Sequence, residues 1–198
     1  IVNEKGEPLG EEYTIVLAAD GYLKEMNQIE KFVLNLSSSL ALDKLAELKG
    51  SSVVRSAVGE INVVNKMNEV NANLGGEGNG GVILRECHLG RDSLVAISMI
   101  LSLLSTSGKS ITEEIAEIPK YLMIKDKIRI NKNIDFDSLE TIFDCDEINK
   151  LDGIKFSWPD KWIHIRKSNT EPIIRIFAEA STQLEVDELI NTLKNYLK

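Results

Sequence analysis

The chain is poor in cysteine, histidine and proline, and it has no excess of positive charge. Its two cysteines, Cys87 and Cys145, lie far apart and make no disulfide framework. A reducing, cytoplasmic setting is therefore expected. The two histidines, His88 and His164, form no pair with metal-ligand spacing, and neighbouring Cys87 and His88 make a poor chelate. No metal site is expected within this chain. Lys and Arg number 23 against 31 Asp and Glu, giving a net charge of −8. Such a field repels a phosphate backbone, so neither nucleic acid nor an anionic membrane surface is an expected partner. The longest apolar stretch, residues 94–104, is shorter than the roughly 20 residues a bilayer requires. No signal peptide is visible, and the chain opens Ile1-Val2-Asn3 without methionine, which reads as a fragment starting inside a strand.

What remains is an ordinary globular composition, 43% apolar over 198 residues, enough for one large domain or two small ones. Periodicity predicts a short helix at 13–19, a buried strand at 31–36, a helix at 40–48, a strand at 52–55 and a helix at 61–70. A third strand is expected to end at Leu74 against a glycine cluster, and a fourth spans 82–85. Asp92 is placed to cap a helix reaching about Leu104, apolar nearly all round and so expected to be well buried. Strands alternating with helices predict an α/β mixed-sheet domain over residues 1–106.

Thr106-Ser107-Gly108-Lys109-Ser110 reads as a linker, and a second domain is expected over 111–198. Ser110 with Glu113, and later Thr182 with Glu185, have capping-box spacing. Strands are predicted at 121–130, 153–158, 162–166 and 172–180, with helices at 135–143 and after Thr182. This second domain reads as smaller and α+β, an antiparallel sheet covered by helices.

Two segments invite chemistry. Gly76-Glu77-Gly78-Asn79-Gly80-Gly81 fits the dinucleotide pattern G-x-G-x-x-G, but Val82 and Ile83 continue as a strand where a helix must open. Gly108-Lys109-Ser110 approaches a P-loop ending, but Leu103 stands where its first glycine is required. The glycine cluster has two readings. It is a tight turn supplying positive φ, or a bare loop that admits a ligand, with Glu77 and Asn79 offering hydrogen bonds to sugar hydroxyls.

The second segment is Trp162-Ile163-His164-Ile165-Arg166 followed by Lys167-Ser168-Asn169-Thr170-Glu171-Pro172. Alternation puts Ile163 and Ile165 on one face, His164 and Arg166 on the other. His164 is expected as a surface-strand residue rather than a catalyst. The loop that follows offers a guanidinium, an ammonium, hydroxyls and an amide, the donors a phosphate dianion needs. An ordinary hairpin turn with Arg166 solvated is the competing reading.

Arg166-Lys167-Ser168-Asn169-Thr170-Glu171-Pro172 resembles the phosphate-binding loop R-x-S-[NG]-T-E-P of the α-D-phosphohexomutases. Gly76-Glu77-Gly78-Asn79-Gly80 is similar to that family's sugar-binding loop, G-E-x-[SN]-G. Val58-Gly59-Glu60 through Met67, and Gly90-Arg91-Asp92, look like the flanking stretches, in the family's order. The resemblance implies that residues 1–106 are the family's third domain and 111–198 its fourth, of the TBP-like type. It implies that Glu77, Asn79 and Glu60 bind the sugar, and that Arg166, Ser168, Asn169 and Thr170 hold the non-reacting phosphate. Ser168 would not be the nucleophile.

By the same resemblance the family's phosphoserine loop and its Mg2+ loop would precede Ile1, so the missing N-terminal domains are the implied partner and no catalytic residue is expected here. The implied activity is that of an isomerase, interconverting hexose or hexosamine 6-phosphate and 1-phosphate through a bisphosphate. The fragment alone is expected to be inactive. Asn79, Gly81 and Glu60 depart from some members, and the motif forms lean to phosphoglucosamine mutases before phosphomannomutases and phosphoglucomutases. The alternative is a non-catalytic phosphosugar- or anion-binding module.

Overall fold

A computed structural model describes residues 1–129, 136–168 and 171–197. The chain forms two compact units, Ile1–Pro119 and Lys120–Lys198.

The first unit is built on strands β1 (Lys31–Asn35), β2 (Ser52–Ser56), β3 (Leu74–Glu77) and β4 (Gly81–Leu84), in the order β2-β1-β3-β4. β1 runs parallel to both β2 and β3, and β4 is antiparallel to β3. Phe32, Val33 and Leu34 are buried, as the central strand of a parallel sheet covered on both faces requires. The helices are α1 (Tyr13–Met26), α2 (Ala41–Leu48), α3 (Glu60–Val70), α4 (Ser93–Ser107) and α5 (Ile111–Ala116). α1 and α3 end at Asn27 and Asn71, both in the left-handed conformation with φ of 48° and 55°. Asparagine tolerates that region, which closes a helix end.

Three expectations need correction here. α1 continues to Met26, well past Ala19, through the buried stretch Tyr22 and Leu23. β3 begins at Leu74 and runs into the glycine cluster instead of ending there. Close packing demands its glycines: a Cβ on Gly75 would lie 2.6 Å from the Met67 sulfur and 3.0 Å from the Val33 carbonyl oxygen. The turn Gly78-Asn79-Gly80, with φ of +86° at Gly80, is a three-residue hairpin loop with its last residue left-handed. Finally, α4 is not buried all round. Ala96, Ile100 and Leu103 face inward, whereas Leu94, Ile97 and Leu101 are more than half exposed. Only one stripe of this helix packs within the unit. It approaches α1 so closely that a Cβ on Gly21 would meet the Met99 carbonyl at 3.0 Å.

Asp92 caps α4 as expected, accepting from the Leu94 and Val95 amides at 2.7 and 3.2 Å. The segment read as a linker is instead the end of α4, closed by left-handed Gly108, and the capping box of Ser110 and Glu113 that starts α5. α5 stays with the first unit. Lys24 of α1 reaches buried Glu114 of α5 at 3.1 Å and Asp20 at 2.8 Å.

The second unit is an antiparallel sheet of β5 (Leu122–Arg129), β6 (Glu147–Asn149), β7 (Ile154–Ser157), β8 (Trp162–Lys167) and β9 (Ile173–Ala180), ordered β5-β9-β8-β7-β6. Helix α6 (Gln183–Tyr196) begins at the Thr182–Glu185 capping box. It lays Val186, Leu189, Ile190 and Leu193 on the face that carries Ile163 and Ile165. In place of the helix expected at 135–143 there is a single 3-10 turn, Asp137–Thr141, which plugs Leu139 into the core. Residues 130 and 135, where a strand end and a helix start were read, lie outside the described residues.

Candidate functional site

In the first unit the loops that follow β1, β2 and β3 leave the carboxyl edge of the parallel strands, where open α/β sheets receive ligands. Glu77, the last residue of β3, is 4% exposed. Its Oε1 accepts from Asn35 Nδ2 at 2.9 Å and from the Gly59 amide at 3.1 Å. Its Oε2 lies 3.1 Å from Arg91 Nη1. One carboxylate thus ties together the end of β1, the start of α3 and the loop before α4. Gly59 has φ of +120°, a conformation that aims its amide at Glu77 and that a side chain would strain. Arg91 also donates from Nε to Glu60 Oε2 at 2.6 Å, which raises its already high pKa. Its aliphatic stem fills the place a side chain at Gly81 would need, with Cδ 2.3 Å from a Cβ built there. Asn79 is exposed at the loop tip, where its Oδ1 accepts from the Gly81 amide at 3.2 Å. Glu60, Glu77 and Asn79 therefore share one loop cluster, with Glu77 at its buried centre.

Sequence reasoning did not single out Asn35, nor Arg91 beyond its place in the Gly90-Arg91-Asp92 stretch. Asn35 closes an otherwise apolar strand, and a lone amide there was the signal available. Its Oδ1 also accepts from the Ser37 amide and the Ser38 hydroxyl, both at 3.0 Å, which shapes the loop after β1. Arg55 braces the same loop, donating to the carbonyls of Asn35, Ser38 and Ser39 and pairing with Asp43.

In the second unit the alternation along β8 is as read, but its polar face is not solvated. Trp162 and His164 are fully buried and Arg166 is 8% exposed. Trp162 Nε1 donates to Glu179 Oε2 at 2.7 Å, and Lys155 Nζ stands 4.2 Å from its ring centroid. His164 is thus a buried residue, against expectation. Its Nε2 lies 2.6 Å from the Asp152 carbonyl oxygen. A carbonyl only accepts, so the Nε2–H form is assigned. Arg166 Nε donates to Asp152 Oδ2 at 3.0 Å. Ser168 is half-buried, its amide bonded to the Ile173 carbonyl at 2.9 Å. Asn169 and Thr170, read as phosphate donors, lie outside the described residues.

Burial pushes the His164 pKa down to about 4. Lys155 and Arg166 act in the same direction, and the Asp152 carbonyl and carboxylate act against it. The unfolded imidazole titrates near 6.5, so between those values the unfolded chain binds a proton the folded one refuses. The stability that neutral His164 contributes is present in full above about pH 6.5 and is expected to fall by about 3 kcal/mol as pH drops to 4. Both tryptophans, Trp158 and Trp162, lie in this unit, so urea unfolding followed by tryptophan fluorescence reads it directly. A His164→Asn variant is expected to flatten the slope between pH 4 and 6.5.

Among the described residues no group of three or more His, Cys, Asp or Glu could hold a metal ion. Among them, too, no helix is long and apolar enough to cross a membrane.

Residues 10–121 match the family model described as phosphoglucomutase/phosphomannomutase, alpha/beta/alpha domain III. Residues 112–195 match the model described as the C-terminal domain of the same proteins. A phosphoglucomutase/phosphomannomutase of Thermococcus kodakarensis is 34% identical over 96% of this chain and 42% of its own length. A probable phosphoglucosamine mutase of Pyrococcus horikoshii is 30% identical over 100% of this chain and 45% of its own length. The fold is shared with a phosphoglucomutase/phosphomannomutase family protein of Burkholderia thailandensis. Its TM-score is 0.83 at 20% identity, covering 100% of this chain and 43% of that one. The chain therefore spans less than half the length of these relatives, and it belongs to the phosphoglucomutase/phosphomannomutase family, comprising that family's domain III and its C-terminal domain.

Proposed function

We propose that the complete protein is a phosphohexomutase, an intramolecular phosphotransferase that interconverts hexose or hexosamine 6-phosphate and 1-phosphate. The observation that carries this reading is Arg166. Its side chain is nine-tenths buried at the head of an R-x-S-N-T-E-P loop, and Asp152 alone among the described residues bonds it. A cation is not buried there without a reason, and its Nη edge has the geometry to grip two oxygens of a phosphate. Arg166 and Ser168, with Asn169 and Thr170, hold the phosphate that is not reacting. Glu77, Asn79 and Glu60 read the sugar hydroxyls.

The transfer itself uses a phosphoserine supplied by the part of the protein outside this chain. That group gives its phosphoryl to the free sugar hydroxyl and forms a 1,6-bisphosphate. The bisphosphate turns over, and the serine recovers the other phosphoryl. Mg2+, held by the part of the protein outside this chain, would offset charge on the transferring phosphoryl. Ser168 only donates a hydrogen bond. The protein works in the cytoplasm, and hexosamine is the preferred substrate. Support for the last point comes from a relative in Methanococcus maripaludis named phosphoglucosamine mutase and one in Methanopyrus kandleri named probable phosphoglucosamine mutase, although the Thermococcus relative carries the phosphoglucomutase/phosphomannomutase name.

The test is turnover of glucosamine 1-phosphate, glucose 1-phosphate and mannose 1-phosphate by the complete protein, beside residues 1–198 alone. The complete protein is expected to act on at least one, fastest on the glucosamine ester, and residues 1–198 on none. Binding of the esters by the complete protein without turnover would make this a phosphosugar-binding module instead.

A further inference from the structure

Arg166 is aimed by a piece of the fold outside its own loop. Residues 150–153 form the turn between β6 and β7. Gly153 leaves that turn with φ of +72° and lies directly on β8. A Cβ there would come within 2.2 Å of the Ile165 carbonyl oxygen, 2.8 Å of Arg166 Cα and 2.9 Å of Arg166 Cβ. Two of those atoms are backbone, so only glycine allows this approach. One residue earlier, His164 pins the Asp152 carbonyl at 2.6 Å. On the other side the Leu151 amide donates to Asn149 Oδ1 at 3.0 Å, and Lys150 pairs with Asp137 at 3.2 Å and with Glu140. The turn is thus fastened at four successive residues. The product of that fastening is a carboxylate oxygen 3.0 Å from Arg166 Nε.

We propose that Asp152, seated by Gly153 and His164, is a positioning residue that fixes the Arg166 guanidinium with its Nη edge presented to the substrate phosphate. The proposal rests on the reading of Arg166 as a phosphate clamp. A guanidinium on a four-bond stem must otherwise be ordered by the ligand, at the ligand's expense in affinity. Holding Nε settles its plane and leaves both terminal nitrogens for the anion. The opposite role is chemically open to the same pair: Asp152 could be a rival anion that phosphate must displace. The two differ in sign. A rival's removal tightens phosphate binding, and a positioner's removal loosens it.

The experiment uses the complete protein carrying Asp152→Ala, Asp152→Asn, Gly153→Ala, Arg166→Ala and the double variant Asp152→Ala/Arg166→Ala. Asparagine keeps an acceptor oxygen and loses the charge. The readouts are kcat and KM for glucosamine 1-phosphate and calorimetric affinity for glucosamine 6-phosphate and free glucosamine. Asp152→Ala is expected to lower kcat/KM and phosphate-ester affinity by about 10- to 100-fold while free glucosamine is unaffected. Asp152→Asn should recover most of the loss. Gly153→Ala should reproduce the Asp152→Ala pattern, and if it fails to fold, Asp152→Asn against Asp152→Ala still decides. In the Arg166→Ala background, Asp152→Ala should cost nothing more.

Tighter ester binding by Asp152→Ala, no change, or a full further loss in the double variant overturns the positioning role. If Arg166→Ala itself leaves ester affinity intact, the clamp reading fails instead, whatever Asp152 does.

Discussion

Arg166→Ala in the complete protein is expected to lower kcat/KM for a hexose phosphate by roughly two to four orders of magnitude. A charge-assisted hydrogen bond contributes about 1.5–3 kcal/mol, and a planar fork makes two of them to one phosphate. At about 1.4 kcal/mol per factor of ten, the pair spans that range. Much of the loss should fall on kcat, because a phosphate held away from the reacting centre aligns the rest of the sugar. Arg166→Lys retains the charge and loses the fork, so it should fall between alanine and wild type. Arg166→Ala also removes the Nε bond to Asp152 Oδ2 at 3.0 Å, and thermal unfolding of each variant separates that cost from the catalytic one. Steady-state kinetics showing full activity in Arg166→Lys would mean that only charge matters there and that no bidentate grip exists.

Glu77→Gln is expected to harm both stability and activity. Three donors converge on this carboxylate: Asn35 Nδ2, the Gly59 amide and Arg91 Nη1. An amide offers one oxygen and turns an N–H group toward the remaining donors. Leaving buried donors unmet costs about 1–3 kcal/mol. The melting temperature of the first unit should fall, and kcat/KM for the hexose phosphate should drop by roughly one to three orders of magnitude. From sequence alone the same substitution looks harmless to the fold, because glutamate in a glycine loop reads as a free side chain. Unchanged melting with reduced activity would mean that Glu77 serves the ligand and not the loop cluster. Reduced melting with unchanged kcat/KM would return the glycine loop to a structural turn.

The parts of this fold written in nearby residues were legible. Asp92, Ser110 and Thr182 each cap the helix that their spacing with the following residues indicates. The alternation of Ile163 and Ile165 against His164 and Arg166 follows from a period of two and nothing more. What covers each face is a question of distant chain, and there the sequence was silent. His164 was read as exposed because no local feature says that residue 152 folds back over it. Nothing local shows that the glycines at 75 and 76 are strand residues, because the atoms that exclude a side chain there belong to Met67, Val33, Ile15 and Gly81. Helix α4 differs the other way: its residues are apolar nearly all round, yet only the stripe of Ala96, Ile100 and Leu103 is buried. Strand β6, three residues long, is too short to leave a periodic trace. In the candidate site, Glu77, Asn79 and Arg166 stand out by motif and Arg91 lies in the Gly90-Arg91-Asp92 stretch, whereas Asn35 and Asp152 enter only through contacts between residues far apart in sequence.

The most direct measurement is calorimetric titration of the complete protein and its Arg166→Ala variant with glucosamine 6-phosphate and with free glucosamine. If the loop at the end of β8 holds the phosphate, the variant loses affinity for the ester by at least about tenfold while its affinity for the free sugar stays at the wild-type value. Equal losses for both ligands, or an undiminished affinity for the ester, would contradict the account.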